Sequence, residues 1–170
     1  MEMSQSKNGK KIVFSESSFN KIAQSLQALK KRSNAALCIF ADANGYAVSF
    51  SGEAKEIDIS SLSALAAGDF AATSEMARII SGEDKFRYLY HEGKEKNVYL
   101  CSVGDDYLII VVFDKSVALG IVRAMTHHLS LKLEDLLAKL RQEAETASDF
   151  LDSQFRELLS AELDKSFGVK

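Results

Sequence analysis

Two runs of seven residues, Ala35–Ala41 (Ala-Ala-Leu-Cys-Ile-Phe-Ala) and Tyr107–Phe113 (Tyr-Leu-Ile-Ile-Val-Val-Phe), are apolar at every position. A strand with one wet face alternates polar with apolar residues, whereas a strand with no polar position must be covered on both faces. Seven residues are too few to cross a bilayer as a helix. The two runs therefore demand a sheet with other elements packed above and below it, and they belong in its middle.

The intervening sequence supplies the rest. Asp42-Ala43-Asn44-Gly45 is a hairpin turn, because Asn-Gly accommodates the positive φ values such turns need. The return strand is 46–50. Phe86-Arg87-Tyr88-Leu89-Tyr90-His91 mixes aromatic and polar residues and reads as an edge strand, open to strand-to-strand association, and 98–103 returns from it. Phe19, Ile22, Ala23, Leu26 and Leu29 recur at helical spacing behind a serine-rich start, and Ser33-Asn34 ends that first helix. Val117 through Leu140 form a third helix of about 25 residues. A polar patch at 141–149 follows, with Thr146 and Asp149 spaced as a capping box, and then a separate acidic helix whose stripe is Phe150, Leu151, Phe155, Leu158, Leu159 and Leu163. That stripe needs a surface to lie on, its own domain or a partner. The organisation expected is a polar tail at 1–11, an α/β (α+β) domain at 12–140 in the order α-β-β-α-β-β-β-α with a five-stranded antiparallel sheet between helices, and a C-terminal amphipathic helical extension at 141–170.

The second helix, 57–80, has two unlike faces. Leu62, Leu65, Ala66, Thr73, Met76, Ala77 and Ile80 fall on one side and are expected to lie on the sheet. The opposite side carries Ala64, Ala67, Gly68, Ala71 and Ser74, with Glu75 and Arg78 at its far end. A face that is neither core nor well charged suits close approach by another surface, although alanines also favour helix without any partner. Asp69 falls within the apolar stripe and is expected to be hydrogen-bonded if buried.

Several function classes are disfavoured. A net charge of −3 and a pI near 5.7 speak against a sequence-independent nucleic-acid binder. The N-terminus has no apolar stretch of the signal-peptide kind, and Cys38 and Cys101 sit inside apolar runs, so two buried free thiols in a reducing cytoplasm are expected. There is no glycine-rich phosphate loop. His127 and His128 are adjacent and diverge on a helix, so no metal is expected, and His91 beside Glu92 reads as a solvated turn. No serine or cysteine is marked as a nucleophile, so no catalytic residue and no cofactor are assigned.

Leu65-Ala66-Ala67-Gly68-Asp69-Phe70-Ala71-Ala72-Thr73, Tyr90-His91-Glu92-Gly93-Lys94, Val112-Phe113-Asp114 and Leu119-Gly120-Ile121-Val122-Arg123, in this order, resemble the Roadblock/LC7 domain family, and within it the MglB-like gliding-motility regulators. The resemblance spans about residues 12–140. It implies a homodimer with paired central helices and paired edge strands, acting as a platform for a small Ras-like GTPase of the MglA type, without an arginine finger and without membrane insertion. On that basis Ala64, Ala67, Gly68, Ala71, Glu75 and Arg78 are expected at the GTPase, and Phe70, Ala77, Phe86, Tyr88 and Tyr90 at the dimer seam. Arg78, Arg87 and Arg123 read as surface or interface residues. The alternatives are a scaffold subunit that leaves nucleotide turnover unchanged and, further off, a ligand-sensing module.

Overall fold

The computed structural model describes residues 12–167, and the polar tail expected at 1–11 lies outside them. The described chain contains α1 (Glu16–Ser33), β1 (Leu37–Asp42), β2 (Ala47–Gly52), α2 (Ile59–Ser81), β3 (Tyr88–His91), β4 (Lys96–Val103), β5 (Tyr107–Asp114) and α3 (Leu119–Phe167). This is the expected order. The sheet is antiparallel throughout, in the order β2-β1-β5-β4-β3. The two wholly apolar strands, β1 and β5, are neighbours inside it, and β3 is an edge.

Side-chain alternation along β5 explains why its sequence does not alternate. Ile109, Val111 and Phe113 join Ile22, Leu26, Val122 and Leu133 in a core beneath α1 and α3. Leu108, Ile110 and Val112 point the other way and meet Leu37, Ile39, Ala66 and Ala67 in a second core beneath α2. Both faces of the strand are dry, so neither tolerates a polar residue.

Local chemistry fixes the joints. Ser15 Oγ accepts from the Ser18 amide at the start of α1, and Asn34 ends the helix in the left-handed region at φ 55°. In the β1–β2 turn the Asp42 carboxylate accepts from the amides of Asn44 and Tyr46, both at 2.9 Å. Gly45 completes that turn at φ 89°.

The C-terminal segment differs from expectation. Residues 141–149 do not interrupt the chain: α3 runs unbroken for 49 residues. Thr146 caps nothing, and its hydroxyl donates to the Gln142 carbonyl within the helix. Arg141, Gln142, Glu143 and Ala144 are good helix formers, and the chain contains no proline, so a change from apolar to polar residues is not a stop signal. Phe150, Leu151, Phe155, Leu158 and Leu159 all stand exposed, and the side chain of Leu163 lies outside those described. The five exposed residues do not dock on their own domain.

Cys38 and Cys101 are free and buried, as expected. Burial pushes their thiols up, Cys38 to about 12 and Cys101 to about 11. Raised folded-state values mean that the unfolded chain loses these protons first. The stability they contribute is intact below about 9, the ordinary thiol value, and is lost as pH rises toward the folded values. Denaturation midpoints are expected to fall above pH 9, and Cys38→Ala to flatten that decline. Iodoacetamide at pH 8 should label neither thiol in the native protein and both in denaturant; rapid native labelling would contradict the burial.

Candidate functional site

The candidate surface is formed by α2 and the adjoining edge of β3. Asp58 caps the helix: its carboxylate accepts from the Ser61 amide at 3.1 Å and the Ser61 hydroxyl at 2.6 Å. These hydrogen bonds hold the carboxyl below the usual carboxylate range. Gly82 closes the other end at φ 70°, its amide reaching the Arg78 carbonyl.

The helix is rotated relative to the expectation. Its buried positions are Ser63, Ala66, Ala67 and Ala77, with Leu62 and Phe70 partly covered. Leu65, Met76 and Ile80, expected on the sheet, project outward together with Ile79; Leu65 is 73% and Ile79 78% exposed. The cause is steric. Leu37, Ile39, Leu108 and Ile110 of the sheet fill the space between the layers, so the helix seats itself through alanines, which let its backbone come close.

This rotation sorts the expected site residues. Ala64, Gly68 and Ala71 are exposed, and a Cβ added at Gly68 would meet nothing within 4 Å. Glu75 and Arg78 are exposed and paired at 2.9 Å. Ala67 does not belong to this surface, because it is buried beneath the helix against the sheet. Ala77, expected at the dimer seam, is fully buried within its own chain. Phe70 is half-buried and, with Ala71, Ser74 and Lys85, lines a cleft of about 150 Å³ between α2 and the β4–β5 turn.

On the edge strand, Tyr88 and Tyr90 turn to the side of the sheet away from α2. Tyr88 stacks on Tyr99, its hydroxyl lies 2.7 Å from His127 Nδ1, and the Arg123 guanidinium sits 5.7 Å from its ring centre. Tyr90 stacks on Phe113, and Phe86, just before the strand, is half-buried. Leu89 is the side chain of this strand that packs with the core beneath α2. The backbone of β3 is hydrogen-bonded to β4 on one side, and among the described residues no strand pairs with its other side.

One contact was not legible in sequence. His91 Nε2 lies 2.5 Å from Asp69 Oδ2, joining the middle of α2 to the end of β3. Asp69 is half-buried and stays on the helix arc of Leu65, Met76 and Ile80, its carboxylate partnered by His91, so His91 is not simply solvated. No local pattern links residues 22 positions apart. Among the described residues no group of three His, Cys, Asp or Glu side chains is placed to hold a metal, and no helix is long and apolar enough to cross a membrane.

Comparison with family models identifies the Roadblock/LC7 domain. The model of the Roadblock/LC7 domain matches residues 21–113. MglB of Myxococcus xanthus is similar at 34% identity with a TM-score of 0.70, covering 75% of this chain and 96% of its own. The gliding protein MglB of Thermus thermophilus is 20% identical with a TM-score of 0.69, covering 78% and 99%. A Roadblock/LC7 domain of Streptomyces avermitilis, at 15% identity, has a TM-score of 0.61 and covers 68% and 97%. Among curated protein sequences none matches. A family-model match over more than half the chain, together with the shared fold and the one-third identity to an MglB, means that this chain belongs to the Roadblock/LC7 domain family.

Proposed function

We propose that the protein is a homodimeric regulator of a small Ras-like GTPase of the MglA type, which it binds over paired α2 helices. The observation that carries this reading is the uncovered stripe Leu65, Met76, Ile79 and Ile80 beside the unpaired edge of β3. A soluble monomer has little reason to leave four large apolar side chains on one helix in water. The likeness to MglB supplies the kind of partner.

In this reading the stripe and the β3 edge form the seam between subunits, while Ala64, Gly68 and Ala71, with Glu75 and Arg78 at the rim, face the GTPase. Regulation proceeds by positioning the GTPase's own groups, since phosphoryl transfer depends chiefly on orientation and charge stabilisation. Arg78 is held by Glu75, Arg87 lies 3.5 Å from Glu134, and Arg123 rests on Tyr88. None of the three is poised as a free finger.

The test is phosphate release by an MglA-like GTPase, with and without this protein. The expected outcome is a change in turnover that Ala71→Arg abolishes together with binding, while the circular dichroism spectrum stays unchanged. Binding without any change in turnover would favour the scaffold reading. Normal binding by Ala71→Arg would remove this face from the interface.

A further inference from the structure

We propose that the exposed half of α3 inserts into a groove between α1 and α3 of a second copy of this chain. The groove has an apolar floor of Leu29, Met125 and Leu129 and a rim carrying the cations Arg32 and Lys132, with His128 beside them. At about 90 Å³ it is far smaller than a small-molecule pocket, typically roughly 300–1,000 Å³. It suits one or two side chains of a docked helix. Among the described residues neither Arg32 nor Lys132 has an ion pair.

The far half of α3 has the complementary chemistry. Leu151, Phe155 and Leu158 line one side of it, and Leu158 is 71% exposed. Over 149–160 its charges are Asp149, Asp152 and Glu157 against Arg156 alone. An apolar ridge with acidic flanks matches an apolar floor with basic walls, and such matching steers association and fixes its register.

The occupant must come from another molecule. Groove and ridge lie on the same unbroken helix, and Leu129 and Phe155 are roughly 39 Å apart along its axis at about 1.5 Å per residue. No bend brings one to the other without breaking the helix. Because every copy carries both halves of the match, reciprocal insertion closes a two-fold pair in which no ridge is left over. The α1/α3 layer is on the opposite side of the sheet from α2, so this contact leaves the proposed GTPase surface open.

Sedimentation velocity on the full chain over a range of concentrations tests this. To keep the result separate from the α2 seam, the series is run in the wild type and in a Leu65→Arg background. In both, Leu158→Asp on the ridge and Arg32→Glu with Lys132→Glu at the groove are expected to weaken one association step at least tenfold. High salt should weaken the same step in the parent proteins. Adding Asp152→Lys and Glu157→Lys to the groove variant should restore it. Absence of association in the Leu65→Arg background would overturn the proposal. So would loss of association in the ridge variant while the groove variant associates normally, because the ridge would then grip something else.

Discussion

Replacing Leu65 with arginine is expected to convert the protein from a dimer into a folded monomer wherever the α2 seam is the only contact in force. The side chain is largely exposed in the single chain, so a guanidinium at its tip stays in water and the fold is retained. In the proposed seam the same position is covered by the twin helix. Association would then bury two unpaired like charges, at a cost of several kcal/mol for each ion. Sedimentation equilibrium in high salt, where the α3-mediated contact is weakened, should give the chain mass of 18.7 kDa for Leu65→Arg and twice that for the wild type. Far-UV spectra should match, and the wild type's melting temperature should exceed the variant's by an amount that grows with protein concentration, as loss of a native-state partner requires. A variant that stays dimeric under these conditions would move the seam away from α2. Loss of GTPase binding in the same variant would further show that the partner needs both helices at once.

A second large effect is expected at Gly45, where the fold rather than the interface is at stake. Its φ of 89° lies in the region that L side chains avoid, and an added Cβ would come within 2.5 Å of Ala64 Cα and 3.2 Å of Ala64 Cβ. Backbone strain and a clash with the first turns of α2 then act together, and neither is relieved by rotating a side chain. Gly45→Ala should lower stability by about 2–4 kcal/mol, in the upper range for single substitutions. Chemical denaturation measures this directly. Because the clash falls on α2, the variant should also bind the proposed GTPase partner less well than its remaining folded fraction accounts for. A loss below about 0.5 kcal/mol, the range of ordinary surface substitutions, would mean that the turn moves away freely from the helix.

Much of the fold is legible in the chain because single residues act alone. Uniform apolarity placed β1 and β5 inside the sheet, Asn44-Gly45 marked the turn, and mixed aromatic and polar residues marked β3 as an edge. The rotation of α2 was not legible, for a physical reason. Both of its arcs are apolar, one built from Ala66, Ala67 and Ala77 and the other from Leu65, Met76 and Ile80. Hydropathy favours the larger residues for the interior, yet the bulk of Ile39 and Ile110 across the gap is met at the closest approach by Ala66 and Ala67, with Leu62 and Phe70 packing at the flanks. Size complementarity between elements is a pairwise property, and one helix read alone does not contain it. The same limit hid the Asp69–His91 contact. The continuity of α3 is hidden for a different reason: a change from apolar to polar residues resembles a boundary, yet 141–149 contains no glycine or proline and no cap in use.

At 49 residues, α3 is about 74 Å long, whereas a compact domain of 130 residues has a radius of gyration of only about 14 Å. The helix, not the globule, therefore sets how the molecule tumbles. A single chain drags through solvent like a ball on a rod, moving ahead of its mass in gel filtration and sedimenting slowly for its weight. Among crowding macromolecules the rod also sweeps a sphere much wider than the domain, so two copies meet by their helices before their sheets come within reach.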